Sequence, residues 1–204
     1  MVREVHHRVK NNLQIVMSLL NLQAGRLRDP AARDTLKQAQ MRINALALVH
    51  RTLHEIEDQS FVQLDRLLSD LTHQTCEGFG AQREGLHVET VMVPRLVGSH
   101  IAVPLALYTA EALTNIFKHA YTGAQAGRIR VTLKEAGDDD LILAVEDDGV
   151  GFFAGEQKDE TSVGSQLINT FAQQVGGTVS IRSIEGHGTI VELRFPEPGT
   201  NAPP

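Results

Sequence analysis

Apolar residues in the first sixty positions recur every three or four residues. Val2, Val5, Val9, Leu13, Val16, Leu20 and Leu27 fall on one face of a helix, and Ile15, Leu19 and Leu22 on a second. Arg28-Asp29-Pro30 interrupts the pattern, with Asp29 suited to an N-cap and Pro30 to the first position of a new helix. Leu36, Ala39, Ile43, Leu46, Val49, Leu53 and Ile56 then resume it to about Glu57. The pattern predicts two antiparallel helices with more apolar surface than a hairpin can bury on itself. A homodimeric four-helix bundle is the economical way to cover that surface.

Beyond residue 60 the period alternates between helix-like and strand-like. It predicts a helix at about 62–78, a strand near 86–92 and a long helix at about 101–120. Strands follow at about 128–135 and 140–147, a helix at about 164–175, and strands at 177–184 and 188–195. The last two, joined by Glu185–Gly188, read as a hairpin. Helices packed on one face of a mixed sheet make this part α+β.

Composition places the break between the two parts. Residues 1–60 hold Gly25 as their one glycine and no Phe, Tyr or Trp; the other sixteen glycines and all nine aromatics follow. The first sixty residues carry nine Lys/Arg against six Asp/Glu, and the remainder a net charge of −9. The expected organisation is a helical hairpin over 1–59, an α+β domain over 60–196 and a disordered Pro-rich tail over 197–204.

Over all 204 residues the net charge is −6, which argues against a general nucleic-acid binder. A lone cysteine, Cys76, excludes an internal disulfide and fits a reducing compartment. No apolar run approaches the ~18 residues that would cross a bilayer, and no signal-peptide core opens the chain. The expectation is a cytoplasmic protein with no membrane segment.

Candidate chemistry begins at two adjacent histidines. At about 100° per residue, His6 borders the Val2/Val5/Val9 stripe, whereas His7 lies among Arg3, Lys10, Asn11 and Gln14. A neutral imidazole is a nucleophile near pH 7, and cations around it favour an anionic product such as a phosphorylated one. Four further clusters follow in order. Glu111, Asn115 and Lys118 or His119 share one face of the long helix, a carboxylate, an amide and a cation that could hold Mg²⁺ and triphosphate. Asp147-Asp-Gly149-Val-Gly151 ends a strand, where Asp147 could accept from an amino-purine and the glycines admit close approach. Ser162-Val-Gly164-Ser165 opens a helix whose free N–H groups suit phosphate. Gly186-His-Gly188-Thr189 closes the series and also suits a plain hairpin turn.

Taken together, the order and spacing resemble the catalytic core of a bacterial two-component sensor histidine kinase. The similarity is to the HWE-related subfamily, through Glu4-Val-His6-His7-Arg8-Val9-Lys10-Asn11-Asn12. Residues 111–119 match its N box, Asp147–Gly151 its D-x-G-x-G box, Ser162–Gln166 its G2 region and Gly186–Thr189 its closing G-x-G-T. The resemblance implies a dimerisation and histidine-phosphotransfer hairpin followed by a Bergerat-type (GHKL) ATP-binding sandwich. It makes His7 the phosphoacceptor, with His6 the alternative, and Asn115 the Mg²⁺ ligand. Lys118 and His119 would lie near the phosphates, Asp147 would read adenine, Gly149 and Gly151 would shape the pocket, Gly164 would admit the lid and Thr189 would support the adenine end. His7 would take a phosphoryl group from MgATP and pass it to an aspartate on a response-regulator receiver domain. Because Arg8 follows His7, the general base is open between Glu4 and Glu111. Ser165 stands where the family usually has Leu, and only ten residues separate Gly151 from Ser162, which implies a short lid. With no sensor domain ahead of the motif, a core from a longer protein and a stand-alone kinase are both expected forms. The alternative function is an ATP-independent phosphotransfer adaptor or regulator phosphatase with the same fold.

Overall fold

The computed structural model of the chain describes residues 15–20, 22–54, 61–81, 85–121, 126–137, 139–152 and 163–197. Residues 15–20 and 22–26 are helical (α1), and α2 runs Pro30–His54. The turn between them matches its sequence signal: α2 starts on Pro30, and the Arg33 N–H donates to the Asp29 carbonyl at 3.1 Å. The expected extension of α2 to Glu57 and the stripe positions before Ile15 lie outside the described residues.

The remaining elements are β1 (Phe61–Gln63), α3 (Leu64–Phe79), β2 (Leu86–Met92), β3 (Leu96–Gly98), α4 (Ser99–His119), β4 (Gly127–Glu135), β5 (Asp140–Asp147), α5 (Val163–Gln174), β6 (Thr178–Ile184) and β7 (Gly188–Pro196). Five strands form one sheet in the order β2-β4-β5-β7-β6, with β2 parallel to β4 and every other pair antiparallel. The sheet is therefore mixed, as expected, and β6 and β7 form the predicted hairpin. Residues 61–63, expected to begin a helix, are instead a strand that pairs with β3 as a separate two-stranded sheet. The Leu64 N–H donates to the Arg95 carbonyl at 2.8 Å, so α3 starts only where that pairing ends.

Period-two alternation sets the core. Ile129, Val131 and Leu133 of β4, Leu141, Leu143 and Val145 of β5, and Val191, Leu193 and Phe195 of β7 are all buried. Their registers coincide: Val131 faces Val145, which faces Val191, and Leu143 faces Leu193. Helices α3, α4 and α5 join this cluster through Leu67, Leu68 and Leu71, through Leu105, Leu113 and Ile116, and through Ile168 and Phe171. Helix α4 is the hub, in contact with α2, α3 and α5. Its alanines at 102, 106, 110 and 112 are all buried, and such small side chains let neighbouring elements approach closely.

The hairpin helices bury less. On α2 the buried positions are Ala45, Leu48 and Val49, which lie together at helical spacing and join the main core. Leu46, placed by its spacing on the buried stripe, is 37% exposed. On α1, Ile15, Leu19 and Leu22 are more than half exposed.

Candidate nucleotide site

The end of α4, the loop after β5 and the β6–β7 turn are tied into one rim by backbone hydrogen bonds. The Val150 N–H donates to the Ala120 carbonyl at 2.9 Å, and the Gly186 N–H to the Val150 carbonyl at 2.7 Å. The Phe152 N–H donates to Ser183 Oγ at 2.9 Å. Such convergence leaves no room for side chains. A Cβ at Gly149 would overlap the Ala120 carbonyl, and one at Gly151 the Ile184 carbonyl. Gly151 and Gly188 also have φ of 60° and 86°, in the left-handed region that other residues enter at a cost.

A cleft opens inside this rim. Asn115 and His119 line it from α4, Asp147 from the end of β5, Gly151 and Phe152 from the loop, and Thr189 from β7, over a floor of Ala112, Ile116 and Val191. Asp147 is 9% exposed and sits on the core side of β5, opposite Thr189 in the β5–β7 register. Its Oδ1 accepts the Gly149 N–H at 3.0 Å, and this bond fixes the carboxylate and helps offset the cost of burying it. Thr189 Oγ1 lies 2.9 Å from Ser183 Oγ, which is 3.1 Å from the Gly188 carbonyl and donates to it.

The α4 face divides unevenly. Asn115 and His119, four residues apart, both reach the cleft, whereas Lys118 is exposed and outside its lining. Glu111, one turn before Asn115, is nearly buried, and both Nε and Nη2 of Arg42 on α2 donate to its Oε2 at 3.0 and 2.9 Å. A Cβ at Gly164, at the start of α5, would lie 2.8 Å from Glu111 Oε1 and 3.5 Å from Asn115 Oδ1. The bare Gly164 backbone thus approaches Glu111 and Asn115 together. His6, His7, Glu4, Ser162 and the lid region 153–161 lie outside the described residues.

Several residues on the rim escaped the sequence reading. Tyr121 Oη lies 2.9 Å from both Asp148 Oδ1 and the Arg128 carbonyl, and the Arg128 N–H donates to Asp148 Oδ1 at 2.7 Å. Burial first, then the bond to Asp148 and the charges of Asp148 and Asp147, push the Tyr121 phenol well above its ordinary range. The cluster anchors the second aspartate of Asp147-Asp148 away from the cleft lining. The Asp-Asp doublet was the only signal for it. Arg42 had none, since one basic residue on an amphipathic helix reads as solvated.

Comparison with known proteins adds the missing half. Residues 4–79 match the family described as "Histidine kinase", and residues 101–199 the family described as "Histidine kinase-, DNA gyrase B-, and HSP90-like ATPase". The chain belongs to the histidine kinase family. The first match takes in the His6-His7 segment together with α2 and α3, and the second the whole cleft. Among curated relatives, this kinase core is 32% identical to the sensor histidine kinase PdtaS of Mycobacterium tuberculosis over 199 residues, 96% of the chain and 39% of PdtaS. It is 27% identical to blue-light-activated histidine kinase 2 of Erythrobacter litoralis over 203 residues, 95% of the chain and 56% of that protein. The solved histidine kinase domain of the Erythrobacter litoralis EL346 blue-light activated kinase superposes with a TM-score of 0.70 at 25% identity, covering 95% of this chain and 92% of that one. The core therefore has the expected architecture, a helical region followed by a sheet domain of the ATPase kind, and it spans about two-fifths of PdtaS.

Proposed function

We propose that this kinase core phosphorylates its own His7 from MgATP and passes the phosphoryl group to an aspartate on a response-regulator receiver domain. The observation that carries the reading is the shared cleft. Asn115, Asp147 and Thr189 come from three elements and line one cavity, in a chain whose histidine kinase match starts at residue 4. Asp147, buried at the end of β5 and fixed by the Gly149 N–H, is the carboxylate that would accept from the exocyclic amine of adenine. Gly164, opening α5, offers backbone next to Asn115, where phosphate would stand.

The donor set fits a hard cation beside phosphate: an amide oxygen at Asn115 with a carboxylate one turn away. Bound there, Mg²⁺ would neutralise charge on the triphosphate. His119 would add a donor at the same end. The His7 imidazole nitrogen would attack the γ-phosphorus, forming an N–P bond as the bond to the bridging oxygen of ADP breaks. Positioning and charge neutralisation supply most of such catalysis. The phosphoryl group would then move from His7 to a receiver carboxylate, which restores the imidazole.

The division into a hairpin over 1–59, an ATP domain over 60–196 and a tail belongs to this proposal, as does dimerisation through the hairpin. The exposed Ile15, Leu19, Leu22 and Leu46 support a second copy of the chain as their cover. A cytoplasmic setting agrees with the free, buried Cys76 and with the absence of any helix long and apolar enough to span a membrane among the described residues.

Incubation with Mg²⁺ and γ-labelled ATP, alongside His7→Ala and His6→Ala, tests the reading. Acid-labile label that persists in His6→Ala and vanishes in His7→Ala is expected. A folded protein that takes no label from ATP, yet accepts phosphoryl groups from a phosphorylated receiver, would overturn it in favour of an ATP-independent phosphotransfer adaptor.

A further inference from the structure

Among the described residues, a charge pair joins the helical region to the catalytic constellation. Arg42 on α2 places Nε and Nη2 on the same oxygen of Glu111, and Glu111 is the α4 carboxylate next to Asn115 and Gly164. The exposures are unequal: the Arg42 side chain is 26% exposed and that of Glu111 is 3%. Apolar contacts continue on both sides. Ala45, Leu48 and Val49 of α2 are buried in the common core, and the Met41 side chain lies 3.4 Å from where a Cβ on Gly78 of α3 would stand. Helix α2 thus closes over one flank of α3 and α4, with the Arg42–Glu111 ion pair at the end of that flank beside Asn115 and Gly164.

We propose that Arg42 is an interdomain clasp on the kinase core, holding α2 docked on α4 and keeping Glu111 engaged until the helices move. The inference rests on the kinase reading for its consequence, since Glu111 is a candidate base. It rests on the geometry alone for the clasp. The physical asymmetry is that Glu111 needs Arg42 only while α2 covers it. If α2 moves away, water solvates the carboxylate and no buried charge is left alone. Removing Arg42 therefore penalises the docked arrangement and spares the fold of each part. Phosphoryl transfer would require release, because Glu111 Oε2, already accepting two guanidinium N–H groups, is not open to the proton of an incoming imidazole. Arg42 is in this sense a positioning residue, touching neither substrate nor phosphate.

Two spin labels on the full chain, at Arg51→Cys on α2 and Thr178→Cys on β6, read the docking directly when labelled chains are diluted into unlabelled ones. Both positions are exposed, and the buried Cys76 stays in place. Arg42→Ala is expected to broaden and lengthen the distance distribution. It is also expected to raise the initial rate of His7 labelling at saturating ATP about fivefold or more, the usual range for coupling between sites. The KM for ATP should stay within about twofold, because Arg42 adds no substrate contact. Arg42→Lys, which keeps the charge and loses the fork, should fall between. Glu111→Gln breaks the same clasp from the other side and should lengthen the distances equally, with no further change in the double variant. Unchanged distances in both single variants would overturn the clasp, as would a labelling rate that falls with a rising KM, which would make Arg42 a phosphate-binding residue. A wild-type chain that takes no label would count against the kinase reading, and the distances would still decide the clasp.

Discussion

Gly188 stands where two needs meet in one residue. Its φ of 86° lies in the left-handed region, and a Cβ there would overlap the Asp147 carbonyl. Gly188→Ala is expected to lower unfolding stability by about 3 kcal/mol, the left-handed cost of ~1–2 kcal/mol plus displacement of the β5 end. Gly25→Ala on α1, with open space around it, should instead stabilise by about 0.5–1 kcal/mol. Urea titration of both variants checks the contrast. Cys76 makes a second case. Burial, and then the charge of Glu77, push its thiol from 9.0 up to about 12. The folded chain therefore holds this proton more tightly than the unfolded one. Its contribution to stability is complete below pH 9 and is lost as pH rises from 9 to about 12. At pH 8.5 iodoacetamide should leave Cys76 unmodified in the folded protein and label it fully in denaturant. Both residues were half legible beforehand. The Gly186-His-Gly188-Thr189 run announced a turn, and Cys76 a thiol outside any internal disulfide. That Gly188 touches Asp147, some forty residues earlier, follows only from the β5–β7 register.

Elements were legible wherever their period ran long enough. The strands at 86–92 and 140–147 lie where alternation placed them, and α4 and α5 where helical spacing did. Three-residue strands carry no period, so β1 and β3 were absorbed into a helix and a loop. Helical spacing also says which residues share a face without saying what covers it. Glu111 and Lys118 looked alike on the sequence, and packing buried one and left the other in water. Arg42, beside Ile43 in a stripe read as apolar, carried no hint of Glu111 sixty-nine positions on. The uncovered face of α1 supplies a prediction at this scale. Leu19→Glu with Leu22→Glu, at positions 55% and 63% exposed, should shift a dimer to monomer in sedimentation and leave the melting of the sheet part unchanged. Equal melting loss in both parts would mean that these leucines serve the fold of one chain.

Across the whole molecule, α4 is in contact with the helical region, the flanking helices and the sheet, and its last turn lines the cleft. The positions of Asn115, Asp147 and Thr189 were legible as motifs, yet their meeting depends on strand order, which pairs β5 with β7 across an intervening helix. The parallel β2–β4 pair has a consequence for the order in which the chain folds. The β6–β7 pair closes through a short turn, whereas β2 can join β4 only after the polypeptide between them, α4 included, has crossed over. Contacts between distant residues pay their loop entropy before they return anything, so this edge should form late. The cleft needs the end of α4 as well as β5 and β7, so it is assembled late too. Nucleotide then meets only the finished fold: saturating MgATP should slow unfolding and leave the refolding rate constant unchanged, as paired stopped-flow jumps into and out of urea would show.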